Sequence, residues 1–287
     1  MSMKLGCADF TWPLMTHSDV VRHIAMLGFD GIDLGLMEGR TQIQPGMVRQ
    51  DVGMWSGVIG ERLATAGLEA ADVFFVPSFN LTDLAANHPD PAERDGGHEV
   101  FLDMLDFARR IGAPGMTMNG GIPIEGQSTA DSLRLSAAEL ARRVEAAAAH
   151  DIEVRVEASV NSNTPTPEMA LELVDAVPGL KLTMDYCHFV YQGIGESEVH
   201  PLLEHTAHFQ CRGAAPGRMQ VNFGENAIDY RGILERLMAQ GYEAYFSIEY
   251  VWIDVWDCNR TENTMETIQF RDFVRAVLAG DEYTPQA

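Results

Sequence analysis

Ile152-Glu153-Val154-Arg155-Val156-Glu157 decides the fold, because its even positions are apolar and its odd positions charged. Side chains alternate across a β-strand, so such a segment packs one face on apolar neighbours and turns a charged row the other way. The same split returns in Leu182-Thr183-Met184-Asp185 and in Phe246-Ser247-Ile248-Glu249. Strands of this kind suit a closed barrel, with helices packed outside and the polar row inside. Outward from these three segments, short apolar runs alternate with longer amphipathic stretches. Strands are expected at 4–8, 31–36, 68–76, 115–119, 152–158, 180–185, 208–212 and 245–250. Helical spacing is read at 19–27, 100–111, 136–149, 167–174, 230–240 and 265–278. Gly28, Gly67, Gly112 and Gly241 stand where a helix ends and a left-handed residue is needed. No linker, repeat or low-complexity tract breaks the alternation. One domain across residues 1–287 is therefore expected, of the α/β class and built as a (β/α)₈ TIM barrel. A doubly wound open sheet is the rival, but no G-x-G-x-x-G follows the first strand.

Composition agrees. Barrels of about 200–250 residues form one unit, and the 287 residues here are 46% hydrophobic and 22% charged, enough for a large core. Disorder along the whole chain is excluded on that ground. With 20 Lys plus Arg against 42 Asp plus Glu, the net charge of −22 opposes a nucleic-acid partner and adsorption to anionic lipid. No stretch approaches the ~18 consecutive apolar residues of a membrane span. The start, Met1 to Gly6, has no apolar run of the secretory kind. Cys7, Cys187, Cys211 and Cys258 are scattered and read as reduced, mostly buried thiols. A cytoplasmic protein with a small-molecule partner is the expectation.

Parity assigns Asp33, Thr117, Asn119, Glu153, Arg155, Glu157, Thr183, Asp185, Ser247 and Glu249 to the barrel interior. Its deep layer reads as internal ion pairing, such as Arg155 with Glu153. The strand ends read differently. Glu157, Asp185 and Glu249 close the fifth, sixth and eighth strands, and the C-terminal ends of barrel strands surround the mouth where catalytic groups collect. Three carboxylates meeting there repel one another unless a cation sits among them. The seventh strand lies between the sixth and eighth and turns His208, Gln210 and Arg212 inward, with Gln210 nearer the mouth than His208. Glu157, Asp185, Gln210 and Glu249 then form an all-oxygen set for one divalent ion, Mn²⁺ or Mg²⁺ ahead of Co²⁺ or Zn²⁺. Acids that are merely solvated strand ends are the competing reading.

These residues resemble the xylose isomerase-like TIM barrels, the sugar phosphate isomerase/epimerase superfamily, from Lys4-Leu5-Gly6 through Ile248-Glu249-Tyr250. The most specific parts are Glu157, Asp185-Tyr186-Cys187-His188 and Ser247-Ile248-Glu249-Tyr250. The resemblance implies a metal-bound Asp185 and a His188 that contacts substrate oxygens. It further implies proton abstraction α to the metal-chelated carbonyl of an open-chain sugar, with Glu157 and Glu249 as the acid/base pair. Homodimers or homotetramers are implied as the assembly. Relatives commonly carry H-x-H on the seventh strand, the second His being a metal ligand. Here Gln210 takes that place and His208 matches only the first. Relatives among the ketose epimerases also carry a Glu six residues after the fifth-strand ligand, where this chain has Asn163.

Around this centre, Arg212 and Arg218 frame the loop 213–217 and either anchor a substrate carboxylate or phosphate or form a loop salt bridge. Trp12 and Trp252, just after the first and eighth strands, either wall the pocket by stacking on a sugar or serve packing. Asn119 and His208 are counted among the substrate-facing groups, and Trp256 is expected further out. Two activities follow: a metal-dependent sugar isomerase or epimerase, and, as the alternative, a decarboxylating or dehydrating lyase acting on a 3-oxo sugar acid through the same enediolate. An abasic-site endonuclease, which shares the fold, is opposed by the net charge of −22. A barrel without catalysis would be indicated by a site that binds no metal.

Overall fold

Eight parallel strands pair in sequence order and close on themselves, with β8 returning to β1. They are β1 (Lys4–Ala8), β2 (Gly31–Met37), β3 (Glu69–Val76), β4 (Gly115–Asn119), β5 (Glu153–Glu157), β6 (Lys181–Asp185), β7 (Thr206–Cys211) and β8 (Tyr245–Ile248). This computed structural model describes residues 3–284. The expected TIM barrel is present, with each expected strand in its place. Two ends differ in a way that matters below: Arg212 and Glu249 lie one residue past β7 and β8. The Glu249 N–H still donates to the Cys211 carbonyl at 2.8 Å, which carries the pairing one step further and keeps both residues turned inward.

Helices His17–Met26, Val52–Ala66, Pro91–Ile111, Thr129–Ala148, Pro167–Ala176, Tyr230–Ala239 and Asn263–Ala279 pack around the barrel. Thr16, Asp51, Ser128, Thr166 and Asp229 each accept the N–H three residues on, satisfying a first-turn donor. Gly28, Gly67, Gly112 and Gly241 have φ of 80°, 70°, 76° and 74°, as their places at helix ends require. The helix Val52–Ala66 is signalled in the sequence by its closing Gly67 rather than by its spacing. Its interior glycines lower helix propensity, but Ser56, Ile59 and Leu63 supply a narrow buried stripe that docks it. Among the described residues, no helix is long and apolar enough to cross a membrane. All four cysteines are buried and free.

The lumen is polar and held by ion pairs and hydrogen bonds across the strands. Arg155, 2% exposed, pairs with Asp72 at 3.1 Å and with Glu153 at 2.7 Å. Above it, the Thr117 and Thr183 hydroxyls lie 2.5 Å apart. Asp33 gathers three donors: Ser247 Oγ at 2.8 Å, His208 Nε2 at 2.8 Å and Gln210 Nε2 at 3.2 Å. Glycine makes room for this layer. A Cβ on Gly6 would come within 2.1 Å of Ser247 Oγ. Gly6→Ala is therefore expected to cost about 1–3 kcal/mol as overpacking, read as a lower midpoint of urea unfolding. An unchanged midpoint would mean that Ser247 can turn aside and abandon Asp33.

Candidate active site

Glu157 and Asp185 end β5 and β6 at the same mouth. Beyond β6 the Cys187 N–H donates to Asp185 Oδ1 at 2.8 Å, opening the short helix Cys187–Tyr191. That turn carries His188 back over the strand ends. Its Nε2 lies 3.5 Å from Glu157 Oε1 and 3.6 Å from Asp185 Oδ2. One ligand atom from each of Glu157, Asp185 and His188 falls within 4.8 Å of the others, and all three residues are buried. Trp256 approaches the His188 ring edge-on, with centroids 6.4 Å apart. It reaches that position because Trp256 and Asp257 both adopt left-handed backbone, φ 56° each.

Between Asp185 and Glu249 stands Arg212. Its Nη2 donates to Asp185 Oδ2 at 2.9 Å, and its Nη1 to Glu249 Oε2 at 3.2 Å and to the Glu249 carbonyl at 3.3 Å. Burial alone would favour the neutral guanidine, but the carboxylates of Asp185 and Glu249 outweigh it and hold the Arg212 pKa well above its ordinary value. For Glu249 the pull is opposite: burial pushes its carboxyl well up, Arg212 opposes that, and Glu157 and Asp185 add to the rise.

Gln210 is fully buried, with its amide nitrogen on Asp33 and its Oε1 without a protein partner. Two carboxylates and an imidazole facing one point, with an orphaned carboxamide oxygen on the strand beside Asp185, fit a divalent cation. The expected ligand set is thus only partly assembled: Glu157 and Asp185 group with His188, while Glu249 is engaged by Arg212.

The remaining expected site residues are distributed differently. His208 sits in the layer beneath, bound to Asp33, and reaches the opening at the opposite end of the barrel, a recess of about 940 Å³. The structure does not bring Arg218 to the cluster; its exposed guanidinium pairs with Glu225 at 2.8 Å, the loop salt bridge. Trp12 and Trp252 share a cleft of about 290 Å³ with Pro13, Leu14 and Met15. There the Trp12 indole donates to Thr264 Oγ1 at 3.0 Å, while Trp252 remains 43% exposed. Asn119, half-buried at the end of β4, is in register with Glu157. Asn163 turns its amide to Ser132 and Ser136 of the helix Thr129–Ala148, at 3.1 and 2.8 Å. Two features escaped the sequence reading. Trp256 carries no glycine or asparagine beside it to signal its left-handed turn. Arg212 does carry a signal, an inward arginine on the strand between two inward acids, although its contact with both depends on side-chain reach.

No curated protein matches the chain in sequence. Solved structures match it over nearly its full length. "D-psicose 3-epimerase in the presence of D-fructose" superposes with a TM-score of 0.78 at 16% identity, covering 97% of this chain and 100% of that one. The E. coli 3-keto-D-glucoside 4-epimerase gives 0.73 at 14% identity, covering 96% and 100%. A probable 3-DHS dehydratase from Bacillus anthracis gives 0.68 at 16% identity, covering 92% and 98%. At such identities the likeness is one of fold. A family described as xylose isomerase-like TIM barrel matches residues 21–273. That match runs from the first outer helix into the last, and so the chain belongs to the xylose isomerase-like TIM barrel family.

Proposed function

We propose that this enzyme is a divalent-metal-dependent isomerase or epimerase of an open-chain sugar or sugar derivative. The observation that carries the reading is the buried group of Glu157, Asp185 and His188, with ligand atoms within 4.8 Å of one another at the barrel mouth. Glu157, Asp185, Gln210 and Glu249, with His188 beside them, would hold a divalent ion, Mn²⁺ or Mg²⁺ ahead of Co²⁺ or Zn²⁺, that supplies Lewis acidity toward a carbonyl oxygen. Glu157 and Glu249 come from strands on either side of β6 and β7, so a substrate lying between them offers one face to each. Glu157 would take a proton from the carbon α to the carbonyl on one face, and Glu249 would return one on the other. His188, whose Nδ1 has no protein partner, is available to hydrogen-bond a substrate oxygen. The Trp256 ring against it limits water at the reacting carbon.

The lyase alternative needs a free cation for the substrate's carboxylate. Arg212 is already bonded to Asp185 and Glu249, and Arg218 to Glu225, which favours the isomerase or epimerase. Protein loaded with Mn²⁺ and incubated in D₂O with a panel of ketoses and 3-keto glycosides is expected to place deuterium α to the product carbonyl. Release of CO₂ or water from a 3-oxo sugar acid, with no deuterium entering any ketose or 3-keto glycoside, would select the lyase.

Gln210→Ala is expected to lower the Mn²⁺ retained after dialysis, because an orphaned oxygen is lost from the set. His208→Ala, removing a group tied to Asp33 in the layer below, should retain it. Full Mn²⁺ content in Gln210→Ala removes that residue from the ligands.

A further inference from the structure

We propose that Arg212 is a permanent second cation of the mouth, a positioning residue that coexists with the divalent ion and sets how tightly that ion is held. The inference rests on the metal-dependent reading above. Three carboxylates, Glu157, Asp185 and Glu249, bring three negative charges to a buried space. Arg212 neutralises one, and a divalent ion neutralises the other two, so the two cations together close the charge.

The geometry divides the donors between them. Arg212 takes Asp185 Oδ2 and Glu249 Oε2 on its side. The ion is left Glu157 and His188, with Asp185 Oδ2 shared between the two cations, since it lies 3.6 Å from His188 Nε2 and 2.9 Å from Arg212 Nη2. Arg212 cannot readily swing away to leave the acids to the metal, since it is 4% exposed and its backbone is held at both polar atoms. Its N–H donates to the Tyr230 hydroxyl at 3.2 Å, and that hydroxyl donates to its carbonyl at 2.7 Å. The next residue is held as well, the Gly213 N–H donating to the Tyr250 hydroxyl at 3.1 Å. A fixed positive charge beside a metal centre repels the ion and draws electron density from a shared carboxylate. The consequence is a weaker, exchangeable metal site and an empty barrel that tolerates its own acids.

Mn²⁺ titration followed by the EPR signal of the free ion, on wild type, Arg212→Met and Arg212→Lys, tests this. Arg212→Met should bind Mn²⁺ at least ~10-fold tighter, because a like charge a few ångströms from the ion is gone. Its metal-free form should melt earlier and recover when Mn²⁺ is added. Arg212→Lys, which keeps the charge, should bind close to wild type. A folded Arg212→Met with unchanged or weaker affinity overturns the inference while leaving the metal reading intact. No Mn²⁺ binding by any of the three overturns both. Should empty Arg212→Met not fold, wild type decides: in ¹⁵N-arginine spectra, the Nε signal missing from Arg212→Lys should shift on adding Mg²⁺ yet stay protected from exchange. Loss of that protection would mean the arginine is expelled by the ion, against the proposal.

Discussion

Glu157→Gln should lose α-carbon deuterium exchange by ~10²–10⁴-fold, the range for a missing general base, while the barrel stays folded. The amide keeps the shape of the side chain but cannot accept a proton. Its neighbours make the separation of activity from stability clean. Glu157 is one of the acids that push the Glu249 carboxyl up, so removing its charge relieves the mouth. The metal-free variant should therefore unfold no earlier than wild type. Exchange is to be measured at saturating Mn²⁺ with bound metal quantified in parallel, because Glu157 also stands in the ligand group. Exchange within tenfold of wild type at full occupancy would falsify the assignment of Glu157 as base.

The largest effect on stability is expected deep in the lumen. Arg155→Met should cost ~3–5 kcal/mol, as removal of one partner leaves a buried charge uncompensated. The charge in question is Asp72, fully buried, its Oδ2 already without a partner, and its carboxyl pushed up by burial against the pull of His208 and Arg155. Methionine nearly fills the space of the arginine stem, so lost volume contributes little. Urea unfolding of Arg155→Met, of Asp72→Asn and of the two combined decides the cause. The second change should recover part of the loss, since residues in one network couple. A double variant as unstable as the sum of both singles would place the cost in packing instead.

Why some of this could be read in advance and some could not comes down to alternation. In β5, β6 and β8 the apolar and polar positions take turns, and the inward set follows directly: Glu157, Asp185, Ser247 and Glu249 are all buried. In β3 the run Ala70-Ala71-Asp72-Val73-Phe74-Phe75-Val76 is apolar in both parities, and a register shift opposite Ile32 and Asp33 changes which residues face in. Asp72, the chief partner of Arg155, was hidden by that combination. At the mouth the acids were legible because they end strands, but their pairing was not. Whether Glu249 meets a metal or Arg212 depends on side-chain reach between strands that are distant in sequence. His188 joined the acids through the turn opened at Cys187, a local device that Asp185-Tyr186-Cys187-His188 does carry.

Asp33 gives the barrel an evolutionary constraint. One carboxylate on β2 receives Ser247 from β8 and both His208 and Gln210 from β7. None of these four positions can drift alone: an imidazole at 210 would present a different donor to Asp33, and loss of Asp33 would strand three buried polar groups together. Across homologues, positions 33, 208, 210 and 247 should therefore be inherited as a block, so that a change of ligand on β7 arrives with a compensating change on β2.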